Sequence, residues 1–202
     1  MRIAILVEGK TEKAFLPILR EYLVPKLQGQ MPNLNPVVYN GRIPKEQKLQ
    51  RTVQNLLSGS NPHDAVIALT DVYTGTNDFM TAQDAKRKMS DWVGPNPHFY
   101  PHVALHDFEA WLIPHWNKIL QLAKFHQNLP AGNPETINRN KPPSKVIAEV
   151  FERGDCRNSY SKQRDARRVL SGQDLTPSIN TCAELKAFVN RIIILSGGQP
   201  IA

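Results

Sequence analysis

"RIAILVEGKTEKAFL", residues 2–16, sets an apolar run against an abrupt carboxylate and then a helix-like pattern. Arg2 to Val7 is short, rich in Ile and Val and apolar through its middle, as a strand buried on both faces should be. Beyond it Ala14, Phe15, Ile18, Leu19, Tyr22 and Leu23 recur at helical spacing, with Thr11 as a suitable N-cap. Pro17 sits past the first turn and predicts a kink or an early break. Gly9-Lys10-Thr11 resembles the end of a phosphate-binding P-loop, but that loop needs a glycine five positions before Gly9. The position is Ala4, inside the apparent strand. A carboxylate at Glu8 would also repel phosphates. Glu8 is therefore an acid at the carboxyl end of a buried strand, where open α/β sheets place ligand chemistry.

The same arrangement returns twice. Ala65 to Leu69 is a second buried strand and leads to Asp71; Phe99 to Leu105 contains another and leads to Asp107 and Glu109. Pro36 to Tyr39 is a short strand between them, and helices are predicted over Lys45 to Leu57 and from Thr81, through a capping-box-like Thr81 and Asp84, to about Trp92. Phe108, Trp111 and Leu112 begin a helix, and the Trp111 and Trp116 pair reads as core. Residues 126–144 are Pro/Asn-rich. Further helices are predicted over Lys145 to Arg153, Gln163 to Leu170 and Ala183 to Leu195. Alternation of strand and helix predicts an α/β fold with a parallel sheet and helices on both faces. The chain divides into an α/β domain (1–122), a linker or loop (123–144) and a basic helical subregion (145–202) packed on the same core.

In a parallel sheet the strand carboxyl ends share one edge. With strands about 4.8 Å apart, Glu8, Asp71, Asp107 and Glu109 would crowd together. Like charges so close are costly, and a hard divalent cation removes the repulsion. Mg²⁺ (or Mn²⁺) is held by one or two carboxylates plus waters and substrate oxygens, and can drive phosphodiester chemistry. Each acid has a plainer reading as a helix N-cap, Asp107 above all, before Phe108. Lys10 either neutralises Glu8, meets a substrate phosphate, or stays solvated.

The 202 residues are 41% hydrophobic with mean hydropathy −0.40, and no apolar run approaches a membrane span. Cys156 and Cys182 are too few for a disulfide framework or a Cys-based zinc site, so a cytoplasmic location is expected. The net charge of +7 and pI near 9.5 favour polyanionic partners, nucleic acid first. "CRNSYSKQRDARR", residues 156–168, offers Lys162, Arg164, Arg167 and Arg168 for phosphate contacts and Tyr160 for base stacking; a solvated basic helix face is the alternative. His98, His102 and His106 are spaced by four, but Pro97 and Pro101 break the regularity a zinc site would need. A proton-shuttle role for His102 or His106 is the other reading of these histidines.

"ILVEG" before a helix, with "IALTD" at a later strand end, resembles the Toprim domain of topoisomerases, primases and overcoming-lysogenization-defect nucleases. "VEGKTEKAFL" with "HDFEAWL" more closely resembles a Toprim-related bacterial family known only as domain of unknown function 4276. The closer resemblance spans most of the chain, and the Toprim part ends near residue 120. It implies a Toprim/Rossmann-like four-stranded sheet and a Mg²⁺-dependent nuclease acting in defence against mobile DNA. By analogy it also implies an ATPase partner. Glu8 and Gly9 match the family's Glu-Gly, and Asp71 the first Asp of its Asp-x-Asp. Tyr73 stands where the second Asp belongs. Asp78, or Asp107 and Glu109, could replace it, Glu109 being the better match. A catalytically inactive module that binds nucleic acid or an ATPase is the alternative function.

Overall fold

The computed structural model describes residues 1–72, 78–136, 141–154 and 159–202. Tyr73 and Cys156, both named above, and Arg157 of the quoted basic stretch lie outside them. The elements run β1 (Arg2–Val7), α1 (Lys10–Leu23), β2 (Asn33–Val38), α2 (Glu46–Ser58), β3 (Ala65–Asp71), α3 (Ala82–Val93) and β4 (Phe99–Ala104). A 3-10 segment (Phe108–His115) then leads into α4 (Trp116–Ala123), α5 (Pro143–Arg153), α6 (Lys162–Leu170), α7 (Thr176–Thr181) and α8 (Ala183–Leu195).

The four strands are parallel and ordered β2-β1-β3-β4. Val7 lies opposite Leu69, and Asp71 opposite Ala104, so β1, β3 and β4 deliver their carboxyl ends side by side. Because strand side chains alternate, each strand feeds two cores. Ile3, Ile5, Val7, Ile67 and Leu69 join α1 and α4–α8 in one apolar cluster. Ala4, Leu6, Val66 and Ala68 join α2 and α3 in the other. This double burial explains why β1 and β3 are apolar throughout. Helices α5–α8 supply Ile147, Val169, Leu185 and Phe188 to the first cluster, so their apolar stripes close over the same side of the sheet.

Three local expectations change, and one helix appears that the sequence reading did not include. Pro17 does not end α1, which runs to Leu23 with the proline on its exposed face. Phe15, Leu16, Leu19 and Leu23 are buried on the opposite face, and this anchoring outweighs one missing backbone hydrogen bond. The N-cap is Gly9 rather than Thr11, and the Glu12 carboxylate accepts from the Gly9 N–H at 3.0 Å. The segment after Asp107 is a 3-10 turn of helix, with Pro114 inside it, before α4 begins. Finally, α7 has too short a periodic pattern to read from sequence.

Candidate functional site

Glu8 follows β1 directly, and its Oε1 accepts a hydrogen bond from the Thr70 hydroxyl on the neighbouring strand. The Gly41 N–H donates to the Glu8 carbonyl at 2.8 Å, tying the loop after β2 to the same corner. That loop brings in Arg42. Burial raises the Glu8 pKa, and the Thr70 hydrogen bond and the Arg42 charge only partly offset it. Asp71 ends β3. Burial, and then the negative charges of Glu12, Glu8, Asp107 and Glu109, hold its pKa well above the usual carboxylate range.

The turn after β4 contributes the other two acids. His106 adopts a left-handed backbone (φ 66°), which swings Asp107 and Glu109 inward, 2% and 1% exposed. Asp107 occupies the N-cap position of the 3-10 segment but makes no side-chain cap hydrogen bond there. Its Oδ2 accepts instead from the Ser144 N–H at the start of α5, 3.2 Å away, and its Oδ1 is buried without a hydrogen-bond partner among the described residues. Burial raises its pKa against the pull of Ser144, Lys162 and His106. Glu109 is held by the Tyr160 hydroxyl at 3.1 Å and the Lys162 Nζ at 3.3 Å. Burial and the neighbouring Asp107 push its carboxyl up to about 7.

Glu12 completes the group and was not picked out in the sequence. It is buried at the third position of α1, one helical turn beyond Glu8, and its pKa is raised by burial against its bond to Gly9. The signal was present: an acid three residues after a helix start reads as a capping box, and Glu8 and Glu12 are four apart. No sequence pattern announces Arg42. Its Nη1 pairs with Asp78, which also takes Lys45 Nζ at 2.7 Å, so Asp78 is engaged with these cations.

The structure thus gathers Glu8, Asp71, Asp107 and Glu109 at one rim and adds Glu12. Lys10 is exposed and forms no ion pair with Glu8 among the described residues. Lys162 is drawn to Glu109; burial works to lower its pKa, but Glu109, Asp107 and Asp71 together raise it. Arg164 clamps Asp165 at 2.9 and 2.7 Å, and Arg168 reaches the same carboxylate at 3.1 Å. Arg167 alone of the four basic candidates on α6 has no ion pair among the described residues. Tyr160 does not face outward for stacking: its ring packs on Phe151 at 5.4 Å. His102 is buried edge-on against Phe188, and burial with Lys86 and Arg191 nearby lowers its pKa to about 3.

A divalent ion can be tested against this rim. The donors are hard oxygens, and Asp107 Oδ1 is buried without a partner among the described residues. Among the described residues no three His, Cys, Asp or Glu side chains form a group that could hold a metal ion. Magnesium does not require one, since one or two carboxylates plus waters hold it. The residues fit an open cation site rather than a closed cage.

A family profile described as "Domain of unknown function (DUF4276)" matches residues 7–193. Two solved structures share the fold. The C-terminal region of the Burkholderia pseudomallei OLD protein is 14% identical, with 96% of this chain and 98% of that chain covered and a TM-score of 0.54. The C-terminal region of the Xanthomonas campestris pv. campestris OLD protein is 14% identical over 97% and 96% of the two chains, with a TM-score of 0.50. At that identity the likeness is one of fold. No functionally curated protein is similar enough in sequence to count as a relative.

Proposed function

The chain belongs to the DUF4276 family, and from that premise we propose that it is a Mg²⁺-dependent, Toprim-like nuclease that cleaves phosphodiester bonds in nucleic acid. One observation carries the proposal. Five carboxylates from the ends of three adjacent parallel strands and the first turn of α1 share one rim, and four of them raise the pKa of Asp71. A fold that needed these residues only as caps would not collect them where each makes the next harder to ionise.

One or two of Glu8, Asp71 and Glu109 would hold the ion, waters completing its shell, with Glu12 and Asp107 beside them. Such an ion, when bound, supplies an activated water and charge stabilisation for the leaving oxygen. The remaining roles belong to the chain itself. Tyr160 and Lys162 fix both oxygens of Glu109, so its carboxylate keeps one orientation. Lys162 is half-exposed, so while one N–H stays on Glu109 its ammonium can present another to a phosphate oxygen at the rim. Thr70 aims Glu8, and Arg42 sets a positive charge behind it. An ATPase partner and a part in defence against mobile DNA belong to the same proposal, on the resemblance alone.

A second reading is favoured by a specific feature: Tyr73 stands where Toprim domains carry their second Asp. The chain would then bind nucleic acid, or an ATPase, without cutting. Incubation with duplex DNA, single-stranded DNA and RNA, in Mg²⁺ and in Mn²⁺, separates the two. The nuclease reading predicts cleavage that chelator abolishes and Asp71→Asn reduces by at least about 100-fold, a transition-state loss near 2.7 kcal/mol. Binding without cleavage in either metal overturns it in favour of the second reading.

A further inference from the structure

A nuclease built around five carboxylates has an electrostatic difficulty. The rim repels the polyanion it must receive, and the cations on α6 offer little relief, since Lys162, Arg164 and Arg168 are taken up by Glu109 and Asp165. The structure places other cations nearby. Helix α1 starts two residues after Glu8 and turns Glu12, Phe15, Leu16, Leu19 and Leu23 inward. Its outward side carries Lys10, Lys13, Pro17 and Arg20, all exposed. At 3.6 residues per turn the three cations fall within an arc of about 80°, and Glu21 lies just past its edge. None of the three forms an ion pair among the described residues.

We infer that the outward row Lys10–Lys13–Arg20 of α1 is the track along which a nucleic-acid phosphate backbone lies as it enters the acidic rim. The inference rests on the nuclease reading and adds where the substrate runs. The row begins at the rim and descends the flank of the molecule for about 15 Å, at 1.5 Å rise per residue. That length covers roughly four base-pair steps of one strand at 3.4 Å each. Helix α6 packs alongside α1, and its Arg167, without an ion pair among the described residues, is exposed. One helix thus turns an acid toward the reacting centre and cations toward the incoming chain. A solvated helix face explains exposure alone; it does not explain why the cations without ion pairs start at the site while Lys162, Arg164 and Arg168 of α6 are neutralised.

The experiment compares charge-matched variants. Lys13→Ala/Arg20→Ala removes two cations from the proposed track. Lys48→Ala/Arg51→Ala removes two exposed cations from α2, which packs on the opposite face of the sheet. All positions are exposed, so both variants should fold, which melting curves check. Affinity for a fluorescently labelled duplex DNA is measured between about 50 and 200 mM salt in chelator. The track variant is expected to lower the slope of log K against log salt by about 1.8, or roughly 0.9 per lost contact, while the α2 variant leaves it near the wild-type value. Equal effects of the two variants, or an unchanged slope in the track variant, overturn the track and leave the nuclease reading standing. Absence of salt-dependent binding by the wild type overturns both.

Discussion

Glu109 is where the site's cost shows most directly. Its carboxyl is raised from 4.5 to about 7 by burial and by Asp107. Between those pH values the folded protein holds a proton that the unfolded chain releases, so the contribution to stability is present below pH 4.5 and lost as pH rises to about 7. His102 works the other way. Its folded pKa near 3 lies below the usual 6.5, so its contribution is present above pH 6.5 and lost as pH falls. The two slopes oppose each other between pH 4.5 and 6.5. In chelator, Glu109→Gln removes the first and keeps the second. The advantage of the variant over wild type should then grow by a few kcal/mol from pH 4.5 to 7, as read by denaturant midpoints at each pH. A gap that stays constant across that range would contradict the assignment of burial strain to this carboxylate. Glu12 and Asp107 show how far single residues could be read from sequence. Asp107 was visible as an acid after a strand, but its partner, the Ser144 N–H, is 37 positions away, and no local pattern reveals such a bond.

At the scale of elements, β1, β3 and α8 were legible because periodicity and burial agree in them. What was missed came from tertiary contacts. Helix α1 carries Pro17 through its middle because its apolar face is fixed against the sheet. Proline in an exposed helix interior costs about 3 kcal/mol against alanine, offset in part by a stiffer unfolded chain. Pro17→Ala is therefore expected to stabilise the protein by about 1–3 kcal/mol, measured by urea unfolding; a loss of stability would mean that the ring itself is needed there. Helix α8 is capped from outside. Both oxygens of Glu135 accept from the Glu184 N–H in its first turn at 3.1 Å, while Asn133 Nδ2 donates to the carbonyl of Thr181, the last residue of α7, at 3.1 Å. The Pro/Asn-rich stretch thus carries a capping residue for a helix almost 50 positions on. Glu135→Ala should cost roughly 1 kcal/mol, in line with the loss of a side-chain N-cap.

Over the whole molecule, the first cluster joins β1 and α1 to α5–α8, so the acidic rim depends on chain segments far apart in sequence. Gly154 marks how tightly they meet: a Cβ there would stand 1.9 Å from the Ala123 carbonyl oxygen. Gly154→Ala is expected to force α4 and α5 apart and to destabilise by about 1–3 kcal/mol, the usual cost of overpacking, with a matching drop in melting temperature. The parallel sheet, with the carboxyl ends that carry Glu8, Asp71 and Glu109 along one edge, followed from the alternation of strand and helix; the strand order β2-β1-β3-β4 did not. Tyr160, Lys162 and Arg42 did not, because their places are set by how α6 and the loop after β2 close on the rim. The central claim is that these carboxylates share a cation, and calorimetric titration of the chelator-stripped protein with Mn²⁺ tests it most directly. Saturable binding in the wild type, abolished in Glu8→Gln and Asp71→Asn while both variants stay folded, is the predicted result. No heat of binding in the wild type, or binding that both substitutions leave unchanged, would contradict it.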